Sequence, residues 1–346
     1  MKVIAKVNFE NREESAKIQD NKIVKVTQTK AIIQILSVLK KCDNLSKIHK
    51  IDKYTYYTDY PEDDGEILNY NLTENRGQNI AGLKKTFKNI RNIINNNFEG
   101  KANELFATLT YAENMTDRER LMIDFDRFYK RFRRKYPNTD YLSVIEPQGR
   151  GAWHIHLCLR FNDLDSIFIP NNDVLAPMWG HGWTKIKSMK NVDNIGAYLS
   201  AYLADIEITE DTLPDMFKAI QRNEYETMED DEGNSYQIKK DYVNLKVIEK
   251  EIDGVKKSFL KGGRLHMYPS GINLYRCSKG IIKPVDEEIE YCEIKKKIGS
   301  RPADFSRTID ILDEEHKLLN SITYENYNLK RDESKYKKTG NKEVGK

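Results

Sequence analysis

The sequence predicts an α+β protein built on an antiparallel sheet with helices on one face. Two observations carry this prediction. Residues 99–210 show the order strand, helix, strand, strand, strand, helix, which is typical of α+β folds. The strand candidates are short runs rich in β-branched and aromatic residues. We expect an N-terminal accessory region at 1–98, a C-terminal accessory region at 211–325 and a disordered charged tail at 326–346.

The first elements follow from periodicity and capping. Apolar residues at helical spacing predict helices at 30–41 and 79–98, the second of them basic and amphipathic. The run LFATLTY predicts a strand at 105–111. A capping-box pattern at Thr116-x-x-Glu119 predicts the start of a helix that runs to Tyr136.

The later elements complete the predicted domain. Alternating apolar residues predict strands at 141–146 and 153–161, which a glycine-rich turn joins. A further strand is expected at 184–189, after another glycine-rich turn. Apolar residues at helical spacing then predict a helix at 192–206.

Composition excludes several classes of protein. The chain has 346 residues, 57 Lys and Arg against 54 Asp and Glu, and 39% hydrophobic residues, which describes a folded chain of near-neutral charge. No apolar run approaches the roughly 18 residues of a membrane helix, so no membrane partner is expected. The N-terminus lacks a signal-peptide core, and the four cysteines form no CxxC pair. We therefore expect a cytoplasmic protein without a zinc module or a disulfide framework.

Two histidines and a glutamate form the first candidate site. His154 and His156 lie two apart on a predicted strand, so both imidazoles project from one face and can bind one divalent cation. A turn centred on Arg150 places Glu146 opposite His154, although a one-residue slip would turn Glu146 away. This donor set suits Mg²⁺ or Mn²⁺ at a phosphate, with Zn²⁺ as an alternative. Two histidines on a solvent-exposed sheet face are the other interpretation.

Two tyrosines form the second candidate site. Tyr198 and Tyr202 are four residues apart, so they are neighbours on one side of the predicted helix. Such a pair commonly belongs to a core. Here Ile195, Leu199 and Leu203 already supply an apolar stripe, which leaves both phenols at its margin and able to face a cleft.

Taken in order, these segments resemble a known family. The runs FATLTY, WHIHL after a glutamate and a glycine-rich turn, and IGAYLSAYL resemble the three motifs of the HUH endonucleases. They are most similar to the plasmid and phage rolling-circle replication initiators with paired tyrosines. The resemblance covers 106–205, and the runs NIAGLKKTFKNIRNIINNNF and KGGRLHMYPSGINLYR resemble flanking parts of such proteins.

The resemblance implies a fold, a site and an activity. It implies a five-stranded antiparallel sheet, metal binding by His154, His156 and Glu146, and nucleophilic attack by Tyr198 and Tyr202. The implied activity is metal-dependent nicking and rejoining of single-stranded DNA at a replication origin through a 5′-phosphotyrosine. Implied partners are single-stranded or hairpin origin DNA in a bacterial cell. A host helicase and single-strand-binding protein are also expected, because the chain has no GxxxxGK[ST] motif.

Basic residues are the candidate DNA contacts. Many relatives carry a lysine three residues after each tyrosine, but Ala201 and Asp205 stand there in this chain. Other cations must then hold the phosphate, and the densest basic run lies on the predicted helix at 116–136. The predicted DNA-binding residues are Lys130, Arg131, Arg133, Arg134, Lys185, Lys187 and Lys190.

Three other functions fit part of the pattern. A mobilisation relaxase or an HUH transposase shares the motifs and differs in its DNA target. A non-catalytic origin-binding regulator retains the fold but forms no covalent adduct. A metal-dependent oxygenase uses His154, His156 and Glu146 but leaves the tyrosine pair without a role.

Overall fold

The computed structural model divides the chain into two compact units. One unit is Thr73–Lys283, and the other combines Met1–Leu72 with Pro284–Lys346. The residues that the structure describes are 4–8, 22–39, 48–52, 55–58, 67–69, 79–148, 151–192, 194–196, 203–214, 225–229, 235–239, 246–252, 255–269, 271–312 and 315–330.

Strands dominate the described residues. In chain order they are β1 (Ile4–Asn8), β2 (Ile23–Gln28), β3 (Ile32–Val38), β4 (Ile48–Lys50), β5 (Thr55–Thr58), β6 (Leu68–Asn69), β7 (Glu104–Thr110), β8 (Thr139–Pro147), β9 (Trp153–Phe161), β10 (Thr184–Ser188), β11 (Ile206–Glu207), β12 (Tyr225–Glu229), β13 (Ser235–Lys239), β14 (Lys246–Ile252), β15 (Val255–Lys261), β16 (Tyr275–Cys277), β17 (Asp286–Glu290), β18 (Phe305–Leu312) and β19 (Leu318–Asn328). The α-helices with described bounds are α1 (Ile80–Asn97), α2 (Arg118–Lys135), α3 (Ala176–Trp179) and α4 (Tyr291–Ile298).

The central sheet of the unit Thr73–Lys283 confirms the predicted α+β class. Its five strands are antiparallel in the order β10-β7-β9-β8-β16. Four of them are the strands that the sequence predicts. The fifth, β16, pairs with β8 from beyond the predicted 99–210 domain, so this sheet also uses a segment assigned to the C-terminal accessory region.

Helices lie on both faces of this sheet, which corrects the prediction of helices on one face. On the first face, Phe132 of α2 packs against Phe161 with ring centroids 6.1 Å apart. Arg160 lies on the opposite face, because side chains alternate along β9, and its Nη1 donates to the carbonyl of Asn97 in α1 at 2.8 Å. Both faces are therefore covered, and Cys158 on the second face is fully buried.

Side-chain caps set the starts of the two long helices. Asn79 Oδ1 accepts from the amide of Gly82 at 2.9 Å, which confirms the predicted start of α1. Asp117 Oδ1 accepts from the amides of Glu119 and Arg120, so Asp117 is the N-cap of α2. The predicted cap at Thr116 is therefore wrong by one residue. The Asp117 side chain accepts the same kind of hydrogen bond as a threonine hydroxyl, and its negative charge is in addition stabilised by the positive end of the helix dipole.

The other unit corrects two predictions. Six described strands form the antiparallel order β1-β18-β19-β3-β2-β17, and β3 occupies the predicted helix at 30–41. The spacing of the apolar residues in this segment fits the period of a helix and that of a strand. Its β-branched residues favour a strand, and two partner strands flank it. In this sheet Ile33 and Ile35 are buried together with Ile294 of α4. The predicted tail at 326–346 also begins too early, because β19 continues to Asn328. Residues 331–346 lie outside the described residues.

Among the helices that the structure describes, none has the length and apolar character needed to cross a membrane.

Candidate functional site

The register of β8 and β9 places a carboxylate beside the histidine pair. Glu146 is the direct cross-strand partner of His154, which confirms the predicted register. Cross-strand partners share a face, and side chains alternate, so His156 lies on that face as well. The three side chains therefore occupy one end of the sheet, on the face opposite α2.

His156 is held on three sides. Its Nε2 lies 2.5 Å from Oε2 of Glu146, and its Nδ1 lies 3.3 Å from Oγ1 of Thr108 on β7. The ring stacks on Phe106 with centroids 5.7 Å apart. The ring of His154 is nearly perpendicular to it, with centroids 6.3 Å apart. Packing and hydrogen bonds thus fix the His156 ring with one nitrogen on the carboxylate.

Glu146 is a buried carboxylate with a cation on its second oxygen. Nη1 of Arg264 lies 3.0 Å from Oε1, and the Glu146 side chain is only 5% exposed. Burial alone raises the pKa of the Glu146 carboxyl, but Arg264 and then His156 outweigh it and hold that pKa below its usual range. The carboxylate is therefore ionised at neutral pH.

The predicted tyrosine helix is anchored at its start by α1. Residues 195–196 and 203–204 are helical, whereas Tyr198 and Tyr202 lie outside the described residues. Oδ1 of Asn95 accepts from the amide of Gly196 at 3.0 Å. A Cβ at Gly196 would lie 2.7 Å from the carbonyl of Arg91, so only glycine permits this close packing on α1.

A segment from far along the chain contacts residues 203–205, at the other end of this predicted helix. The carbonyls of residues 203, 204 and 205 accept, in turn, from Tyr268 Oη at 2.8 Å, the Arg264 amide at 3.1 Å and Arg264 Nε at 3.0 Å. The last carbonyls of a helix lack partners within it, and these donors satisfy them. Both ends of the segment that carries Tyr198 and Tyr202 are thus fixed to the sheet domain.

Comparison with known proteins addresses this same region. Residues 104–207 match the family model described as Replication-associated protein ORF2. This is a family of rolling-circle replication initiators. The match confirms the resemblance that the motifs predict, and it includes both histidines, Glu146 and the tyrosine pair. No curated protein and no solved structure gives a significant match to the chain.

His154, His156 and Glu146 lie within the family match. Their side chains have the chemistry of ligands for a divalent cation, but two of them are too close together to bind one cation. Two imidazoles and one ionised carboxylate are ligands that Mn²⁺ and Mg²⁺ sites accept. Adjacent ligands of one cation at about 2.1 Å lie about 3 Å apart, whereas Nε2 of His156 and Oε2 of Glu146 are 2.5 Å apart. In the described part of the chain, no group of three His, Cys, Asp or Glu side chains is placed to hold a metal ion. Nε2 of His156 and Oε2 of Glu146 must therefore move slightly farther apart before a cation can bind between them.

The basic residues of α2 lie on the side of the sheet away from the histidine pair. The side chains of Lys130, Arg133 and Arg134 belong to the exposed surface of α2, which covers the other face. Arg131 donates to the carbonyl of Met178 from Nη2 at 2.7 Å, which ties α2 to α3. The predicted α2 contacts therefore do not adjoin His154 and His156.

The basic residues of β10 lie on the face of the histidine pair. Lys185 pairs with Thr108, which pairs with His156, so all three form one row across the sheet. Nζ of Lys187 lies 5.9 Å from the ring of Phe106. Because neighbouring strands are about 4.8 Å apart, this row spans about 10 Å. Lys190 is exposed and lies just beyond the end of β10.

Trp183 extends this edge of the sheet. The amide of Thr110 donates to the carbonyl of Trp183 at 2.9 Å, which continues the β7–β10 register by one residue. By alternation Trp183 shares the face of Lys185, and the side chain is 64% exposed. An exposed indole beside two lysines is a platform on which a nucleic-acid base can stack.

Sequence reasoning missed Arg264, Phe106, Thr108 and Trp183 as parts of this face. For Phe106 and Thr108 a signal existed, because both alternate on β7 with the spacing of the histidine pair on β9. For Arg264 the signal is the preceding Gly262-Gly263 pair, but only the folded chain brings it to Glu146. His181, in the glycine-rich turn before β10, lies with its Nε2 3.6 Å from Oδ1 of Asp124 in α2.

Proposed function

We propose that this protein nicks and rejoins single-stranded DNA at a replication origin and thereby initiates rolling-circle replication. The proposal is supported by one observation above all. Within the residues that match a replication-initiator family, Glu146, His154 and His156 share one end of a sheet face, and the predicted tyrosine helix is anchored beside them.

The tyrosines carry the covalent step of this proposal. The phenolic oxygen of Tyr198 loses its proton and attacks the scissile phosphorus, and the P–O3′ bond breaks. The 3′-oxygen takes up a proton, which balances the one that the phenol lost, and leaves as a hydroxyl. The 5′ end then remains on the protein as a phosphotyrosine. Tyr202, one helical turn later, can attack the rejoined junction in the same way. The free 3′-hydroxyl serves as the replication primer.

The polar residues of the face hold the scissile phosphate. His154, His156 and Glu146 would bind Mn²⁺ or Mg²⁺, which neutralises phosphate charge and polarises the phosphorus when bound. Thr108 and Phe106 fix the His156 ring, and Arg264 fixes the carboxylate. An unperturbed phenol has a pKa near 10 and is therefore mostly protonated at neutral pH. A neighbouring positive charge favours the phenolate and so promotes the attack.

We propose that the single strand approaches along β10. Lys185→Ala with Lys187→Ala should weaken single-strand binding and reduce the slope of log K against log salt by about 0.7 per lysine. Trp183→Ala should weaken binding by about 1–3 kcal/mol with little change of slope, because stacking is not ionic. Fluorescence anisotropy with a labelled single strand at several salt concentrations measures both. Arg133→Ala with Arg134→Ala is the matched comparison on α2, and a larger slope change there would place the strand on the other face.

Glu146 tests the proposed metal site. Glu146→Gln should raise the Mn²⁺ concentration for half-maximal nicking by about 10-fold or more, because the amide keeps the shape but loses the charge of a direct ligand, and groups that only orient a ligand already contribute about 10–100-fold. Nicking at a series of chelator-buffered Mn²⁺ concentrations measures this shift. An unchanged Mn²⁺ dependence would remove Glu146 from the metal site.

The activity itself is tested with single-stranded oligonucleotides from candidate origins. We expect Mn²⁺-dependent formation of a protein–DNA adduct that survives denaturation, and no adduct in excess EDTA. Joining of a second strand to the adduct tests the transfer step. Specific binding without adduct formation would instead support a non-catalytic origin-binding regulator. Nicking of a transfer origin or of transposon ends in place of a replication origin would indicate a relaxase or a transposase.

A further inference from the structure

Arg264 joins two parts of the proposed site that are distant in sequence. Its Nη1 contacts the Glu146 carboxylate at 3.0 Å and donates to the carbonyl of Pro147 at 3.2 Å. Its Nε donates to the carbonyl of Asp205 at 3.0 Å. Its backbone amide donates to the carbonyl of Ala204 at 3.1 Å. One guanidinium thus touches both the carboxylate end of β8 and the end of the predicted tyrosine helix.

Two glycines shape the chain just before Arg264. Gly262 has a φ of +76°, and its amide donates to Oδ1 of Asp205 at 2.7 Å. A Cβ on Gly263 would lie 2.9 Å from Cδ1 of Ile206. Gly262 and Gly263 therefore let the backbone turn and pack closely against residues 205 and 206. As a result Arg264 lies between these residues and Glu146.

The chemistry of arginine suits this bridge. A planar guanidinium offers donors in fixed directions, so one side chain can satisfy a carboxylate and a carbonyl on different elements. The side chain of Arg264 is 18% exposed, which shields these contacts from water. Asp205, which stands where many relatives carry a lysine, is itself bound to the same segment.

We infer that Arg264 is a positioning residue that sets the distance between the Glu146 carboxylate and residues 204–205, where the helix predicted to carry Tyr198 and Tyr202 ends. The inference rests on the proposed function and lies outside the residues of the family match, which end at 207. Its consequence is that the segment at 262–264 is part of the reactive geometry rather than a separate accessory region.

The test compares four variants, of which Arg264→Lys is the conservative one. Arg264→Gln removes the bridge. Tyr268→Phe removes a single hydrogen bond to the same helix end, at the carbonyl of Leu203, and leaves the contact of Arg264 with Glu146 in place. Arg276→Gln removes a guanidinium that contacts Asp126 at 2.9 Å on the α2 face. Two readouts are measured: single-turnover adduct formation at saturating Mn²⁺ and DNA, and amide hydrogen exchange of the peptides covering 143–148 and 203–207.

We expect Arg264→Gln to slow adduct formation by about 10–100-fold, as is typical for groups that orient a metal ligand, with DNA affinity changed less than threefold. Exchange should rise in both peptides. Tyr268→Phe should raise exchange at 203–207 alone and change the rate by less than about threefold, and Arg276→Gln should change neither. Arg264→Lys should restore only part of the rate, because one ammonium cannot hold both partners.

Two results would overturn the inference. Equal slowing by Arg264→Gln and Tyr268→Phe would show that only the helix end matters, and unchanged exchange at 143–148 in Arg264→Gln would show that no bridge exists. Absence of adduct with the unaltered protein would overturn the proposed function instead. The exchange measurement needs neither metal nor DNA, so it still decides whether Arg264 joins the two elements.

Discussion

Replacing His156 with alanine should abolish covalent adduct formation while the domain remains folded. Glu146, Thr108 and Phe106 together hold the His156 imidazole in place. Its loss removes a proposed metal ligand and leaves Oε2 of Glu146 without this partner. The buried carboxylate keeps Arg264, so we expect a loss of stability of only about 1–3 kcal/mol. Adduct formation on a denaturing gel and thermal unfolding measure the two effects.

The matched control is His181→Ala. That histidine also contacts a carboxylate, at 3.6 Å from Asp124, but it lies against α2 on the other side of the sheet. We expect it to leave adduct formation within about threefold, with a similar loss of stability. Normal nicking by His156→Ala under chelator-controlled metal would contradict the metal assignment. His154→Ala should behave like His156→Ala.

Replacing both Tyr198 and Tyr202 with phenylalanine should also remove the adduct completely. Phenylalanine keeps the ring and removes only the nucleophilic oxygen, so the helix contacts at Gly196 and at residues 203–205 should persist. The proposed metal site is unchanged in this variant, and single-strand binding should therefore stay within about threefold. Adduct formation and anisotropy on the same preparation distinguish lost chemistry from lost binding.

The single variants then assign the two steps. In the predicted helix Tyr198 lies closer to the N-terminus, where about half a positive charge favours a phenolate, so we expect Tyr198→Phe to lose the first cleavage. Tyr202→Phe should cleave but fail in strand joining. Adduct formation by Tyr198→Phe at the normal rate, with none by Tyr202→Phe, would reverse this order. Cleavage by the double variant would place the nucleophile elsewhere.

Local patterns predicted the strands and the register of this site. The alternation in WHIHLCLRF and the symmetry of the turn about Arg150 are short-range properties, so the pairing of Glu146 with His154 followed from sequence alone. The helix caps at Asn79 and Asp117 are equally local, and here the prediction erred by only one residue.

Long-range pairing was not accessible in the same way. The periodicity of 30–41 fits a helix or a strand, and its partner β19 lies almost 300 residues later in the chain, at Leu318–Asn328. Likewise β16 and Arg264 reach the central sheet from a region that carries no catalytic motif. The strand β16 is only three residues long, which is too short for a periodic signal.

The central claim is that a tyrosine of the pair forms the covalent bond to DNA. Trypsin should release residues 191–218 as one peptide, whose only tyrosines are Tyr198 and Tyr202. After reaction with a single-stranded origin oligonucleotide in Mn²⁺ and nuclease trimming, mass spectrometry of this peptide measures the attached nucleotide directly. We expect a nucleotide 5′-phosphate on Tyr198 or Tyr202. A nucleotide on any other peptide, or an intact 191–218 peptide alongside cleaved DNA, would contradict it.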